Sequence, residues 1–84
     1  MYFKYAVLNS DRVVRLRPAS KFVETAKKFE SKITIINDNE QIDAKSFRGL
    51  CASDLGEGSR ITLQAEGPDE REAIITLFKL IEDI

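Results

Sequence analysis

An alternating segment followed at once by a helical stripe constrains this chain most. From Arg60 to Glu66 polar and apolar residues alternate: Ile61, Leu63 and Ala65 share one side, and Arg60, Thr62, Gln64 and Glu66 share the other. A period of two is that of a strand with one buried face. Gly67-Pro68 ends it, and the apolar spacing changes to three and four. Ala73, Ile74, Leu77, Phe78, Ile81 and Ile84 then line one side of a helix. Asp69, Glu70 and Glu72 fall in its first turn, where negative charge is stabilising. A strand and a helix that are each apolar on one face must bury those faces against other elements. The expected fold therefore has two layers, with the helices on one face of a sheet.

The rest of the chain supplies the other elements. Tyr2 to Leu8 reads as a strand with apolar residues on both faces. Leu16, Ala19, Phe22, Val23, Ala26 and Phe29 mark a first helix, with Pro18 in its first turn, where a missing N–H costs nothing. Ile33 to Ile36 and Gln41 to Asp43 read as two strands, joined by a tight turn at Asn37-Asp38-Asn39. Ser46 to about Ala52 reads as a short helix with Ser46 as its N-cap. Gly56-Glu57-Gly58 is a turn. The order is β-α-β-β-α-β-α, an α+β arrangement. The closely spaced central strands form a hairpin, so the sheet is at least partly antiparallel.

With 84 residues, 43% of them hydrophobic, residues 1–84 are expected to form one domain around one core. A single cysteine, Cys51, excludes an internal disulfide. The N-terminus is too polar for a signal peptide, and no apolar run approaches a membrane span, so a soluble cytoplasmic protein is expected. A net charge of −1 gives no pull toward nucleic acid or an anionic membrane. Protein partners or small ligands fit better.

Catalysis has little support. The chain contains no histidine, the usual base beside a nucleophilic serine or cysteine. Cys51 reads as structural filler. A zinc site needs a cluster of Cys and His ligands. The acidic stretch Asn37–Asp43 lacks the glycine and terminal glutamate of a calcium loop. Gly56-Glu57-Gly58 lacks the Lys-Ser continuation of a phosphate loop. No metal, cofactor or enzyme activity is expected. One cationic cluster stands out: Arg12, Arg15 and Arg17 lie around the start of the first helix, whose unpaired N–H groups already favour anions. They read either as a receptor for phosphate, sulfate or an acidic partner, or as solvated arginines paired with nearby carboxylates.

The stretch Arg15-Leu16-Arg17-Pro18-Ala19 resembles the active-site segment of HPr, the histidine-containing phosphocarrier family of the sugar phosphotransferase system. That family reads glycine, an aliphatic residue, histidine, a small residue, then Arg-Pro-Ala. Here Arg17-Pro18-Ala19 is kept, Arg15 stands at the histidine and Val13 at the glycine. Ala44-Lys45-Ser46 with Gly49, and Gly67 with Asp69-Glu70, extend the resemblance along the chain. It implies an open-faced β-sandwich, a four-stranded antiparallel sheet with three helices on one face.

The resemblance also implies roles. Histidine, with a pKa of roughly 6.5, offers a nucleophilic nitrogen at neutral pH, whereas arginine stays protonated to above roughly 12. Arg15 cannot accept phosphate by the same chemistry, and Arg17 matches the family's phosphate-contacting arginine. In many members the serine matching Ser46 is phosphorylated by an ATP-dependent kinase, HPr kinase, and the product binds a transcription regulator. This chain resembles the histidine-less, Crh-like branch that keeps only that serine. Lys45 and Arg48 would then orient the phosphate, while Phe47 and Leu50 supply apolar contact. The plain alternative is that Ser46 is only a cap, contributing about 1 kcal/mol. Arg48 also departs from the family by standing where methionine is common.

Overall fold

The computed structural model describes residues 1–9, 19–38, 40–53, 55–56 and 58–82. Its elements run β1 Tyr2–Val7, α1 Ala19–Ala26, β2 Lys32–Asn37, β3 Glu40–Asp43, α2 Phe47–Cys51, β4 Arg60–Glu66 and α3 Glu70–Glu82. The strands form one sheet in the order β1-β4-β2-β3, and each neighbouring pair is antiparallel. This is the expected α+β open-faced sandwich. β1 and β3 are the sheet edges, and β4 occupies a central place beside β2.

The alternation in β4 is realised in space. Ile61, Leu63 and Ala65 are buried under the helices, together with Ile33 and Ile35 of β2 and Ile42 of β3. From the other layer come Phe22, Val23 and Ala26 of α1 and Ala73, Ile74, Leu77 and Ile81 of α3. Strand β1 resolves its two apolar faces differently. Ala6, and Leu8 just beyond the strand, are buried, while Phe3, Tyr5 and Val7 are exposed on the opposite side. Among the described residues the helices cover one face of the sheet only, and the outer side chains of β1 are exposed on the other.

Helix α1 is shorter than its apolar stripe suggested. Phe29 lies beyond it, half-buried against the core, and Leu16 and Pro18 lie outside the described residues. After Lys27 the backbone bonds tighten from i−4 to i−3: Lys28 N–H donates to Thr25 O at 3.1 Å and Phe29 N–H to Ala26 O at 3.2 Å. Two distant side chains then hold the exit from the helix. The Lys45 ammonium donates to Phe29 O at 2.6 Å. The Asp69 carboxylate accepts the N–H groups of Glu30 and Ser31, both at 2.9 Å.

Asp69 also departs from expectation. It stands one residue ahead of α3, and its carboxylate binds the segment before β2 rather than its own helix. Ser31, 1% exposed, donates its hydroxyl to Asp69 and accepts the Asp69 N–H at 3.2 Å. Within α3's own entry, Glu70 Oε1 accepts the Gly67 N–H at 3.1 Å. Gly67 is required here on two counts. Its φ is +152°, and a Cβ would lie 2.6 Å from Ser31 Cα. Ile84 of the expected stripe lies outside the described residues. Among the described residues no helix is long and apolar enough to cross a membrane.

Candidate functional site

The residues singled out around Ser46 form one turn between β3 and α2. Ile42 and Ala44 are buried, which anchors the turn on both sides of Asp43. The Asp43 carboxylate accepts the Lys45 N–H at 2.9 Å, and its carbonyl accepts the Ser46 N–H at 2.9 Å. These bonds aim the chain into α2 with Ser46 in extended geometry, φ −104° and ψ 107°. Its Oγ accepts the Gly49 N–H at 3.0 Å, and its carbonyl accepts the Leu50 N–H at 3.0 Å. Ser46 is therefore the N-cap that the residue order indicated. Gly49 permits this closure, since even an alanine Cβ would come within 3.1 Å of Ser46 Oγ.

The side chains around it part company. Phe47 is 52% exposed and Arg48 is exposed beside it. Leu50, expected to contact a partner, is 6% exposed and belongs to the core. A helix of five residues holds itself to the protein by its inward side, and Leu50 takes that position. Cys51, about 100° further round the helix, is exposed rather than filler. Lys45 is half-buried with its ammonium on the Phe29 carbonyl, so it links α2 to the end of α1. Arg48 is left as the cation on the helix surface next to Phe47. Arg12, Arg15 and Arg17 lie outside the described residues.

Chemically, Ser46 Oγ is already an acceptor for a backbone N–H, and its own proton is not needed for the cap. A group added to this oxygen would sit at the start of α2, beside N–H groups that favour negative charge. The carboxyls with lowered pKa values lie elsewhere. Asp69 is held below the usual carboxylate range by the Ser31 hydroxyl first, then by the Glu30 N–H. Glu70 is lowered first by the amino group of Met1, 2.8 Å away. Among the described residues, no group of three or more His, Cys, Asp or Glu could hold a metal ion. Sequence reasoning missed the Asp69–Ser31 clamp, because its partners are 38 residues apart and no local pattern joins them.

Comparison with known proteins agrees with this architecture. A 45% identity over 69 residues, 82% of both chains, relates it to the HPr-like protein Crh of Halalkalibacterium halodurans. The phosphocarrier protein HPr of Buchnera aphidicola is 37% identical over 84 residues, covering 100% of this chain and 99% of its own. The crystal structure of HPr-C-His from Thermoanaerobacter tengcongensis superposes with a TM-score of 0.87 at 38% identity, over 99% of this chain and 93% of that one. The pattern described as the PTS HPr component phosphorylation site matches residues 4–83, and on that span, with the fold it accompanies, this chain belongs to the PTS-HPr family.

Proposed function

We propose that this protein is a histidine-less regulatory member of its family, switched by phosphorylation of Ser46. The observation that carries the reading is the placement of Ser46: a half-buried cap whose Oγ lies at the start of α2, beside exposed Phe47 and Arg48. A phosphoryl group there would add roughly −1.5 to −2 charge. It would do so next to an aromatic side chain and a guanidinium, changing what the surface can bind. The chain contains no histidine and carries Arg15 where the resemblance places the phosphate acceptor, which supports regulation over phosphate relay. The similarity to a Crh points the same way.

The partners on this reading are an ATP-dependent HPr kinase and a protein, such as a transcription regulator, that reads the phosphoserine. ATP as donor implies the cytoplasm. The protein is modified and bound and performs no catalysis. β1 and β4, from opposite ends of the chain, are neighbours in one sheet, which supports treating residues 1–84 as one domain. Intact-mass analysis after incubation with ATP and an HPr kinase tests the reading. The expected result is one added phosphate on the natural chain and none on Ser46→Ala. No mass gain on the natural chain would leave Ser46 as a structural cap.

A further inference from the structure

The sheet face turned away from the helices carries a pattern that matches itself. At the level where Lys4, Leu63 and Ile35 are register partners, the pattern divides into two halves whose charges run in opposite order across the strands. On β4, Arg60 and Glu66 lie three residues to either side of Leu63, or about 10 Å along the strand. On β2 and the turn after it, Lys32 and Asp38 lie three residues to either side of Ile35. Glu66 is the register partner of Lys32, and Asp38 lines one groove with Arg60. Each end of the face thus holds one cation and one anion, in opposite order. On β1, Phe3 and Tyr5 flank Lys4, 46% and 73% exposed, with ring centroids 5.4 Å apart and edge to face.

We propose that two copies of this chain pack these open faces together about a two-fold axis lying in the interface, across the strands, at the level of Lys4, Leu63 and Ile35. This operation sets Arg60 of each copy on Glu66 of the other and Lys32 on Asp38. It sets Phe3 on Tyr5, making a cluster of four rings beside the axis. The groove lined by Tyr5, Val7, Ile36 and Thr62 then receives Phe3 of the second copy. Sheets packed face to face lie about 10 Å apart with strands about 30° from alignment, a displacement that side chains of this length can span. An isologous contact requires such self-complementarity. A two-fold axis along the strands, between β4 and β2, would also match Arg60 with Asp38. It would place Phe3 on Asp43 and Tyr5 on Gln41, leaving the rings against polar groups, so the crosswise axis is favoured. The face comprises strands of four to seven residues, so the contact is small and the dimer dissociates on dilution.

Sedimentation equilibrium of the full chain at low ionic strength, from micromolar to millimolar, tests the proposal. The expected result is a monomer–dimer equilibrium that weakens with salt. Arg60→Glu and Glu66→Arg each weaken it about tenfold or more, since each sets like charges together twice. Mixing the two variants restores it, because every charged contact across the axis is then again of opposite sign. Tyr5→Ser weakens it without changing charge and serves if either charge variant fails to fold by circular dichroism. Three results overturn the proposal: a monomer at every concentration, a dimer indifferent to the variants, or a mixture no tighter than each variant alone. The last would also result from the axis along the strands.

Discussion

Replacing Ser46 with alanine removes the oxygen that accepts the Gly49 N–H at 3.0 Å, at an expected cost of about 1 kcal/mol in unfolding free energy. Ser46→Asp keeps an acceptor there and adds charge at the favourable helix end, so urea titration should find it at least as stable as the alanine variant. Leu50→Ala is a sharper probe of the same helix. Leu50 is 6% exposed, and its loss should cost about 2–5 kcal/mol depending on how far the cavity collapses. A cost within a few tenths of a kcal/mol would mean that Leu50 stands on the surface after all. Residue order identified Ser46 as a cap because capping depends on neighbours one to three positions away. It could not separate Leu50 from Phe47, since both are large and apolar and only the packing of α2 against the core distinguishes them.

Between elements, the joint that matters is the one Asp69 makes from the entry of α3 to the segment before β2. Its carboxylate is stabilised in the charged form by the Ser31 hydroxyl and the Glu30 and Ser31 N–H groups. The folded pKa therefore lies below the unfolded value of about 3.9. A depressed carboxyl contributes stability that is present above the unfolded pKa and is lost as pH falls through the folded one. Stability should decline from about pH 4 downward, with Glu70 adding in the same direction. Asp69→Asn should be less stable than the natural chain at neutral pH and lose less on acidification. Denaturant unfolding at a series of pH values checks this, and parallel pH profiles would remove Asp69 from the account. Gly67 belongs to the same joint. Gly67→Ala drives a Cβ to 2.6 Å from Ser31 Cα and should cost more than about 1 kcal/mol, read from the urea midpoint.

For the molecule as a whole, the question is which phosphoryl donors it can serve. A phosphohistidine requires an imidazole nitrogen, and the chain contains no histidine. Incubation with phosphoenolpyruvate and the first enzyme of the phosphotransferase system should therefore leave its intact mass unchanged. Appearance of an acid-labile, base-stable phosphate would contradict this. Weak binding to that enzyme without transfer is compatible with it, because the scaffold of the family is retained.

Local periodicity determined much of this protein. The alternation of Arg60–Glu66, the stripe from Ala73 to Ile81 and the cap at Ser46 are short-range patterns, and each was legible without coordinates. So were the element order and the one-sided placement of the helices, since one-sided apolar faces admit few arrangements. Only the tertiary structure decided where β1 stands. Its apolar residues on both faces became intelligible once it lay at a sheet edge with Phe3 and Tyr5 turned to solvent. The tertiary structure likewise decided that Lys45 serves the end of α1, that Leu50 is core and Cys51 surface, and that Asp69 binds a segment 38 residues away. These are long-range pairings, set by which elements the sheet order β1-β4-β2-β3 makes neighbours. No interval of a few residues along the chain encodes them.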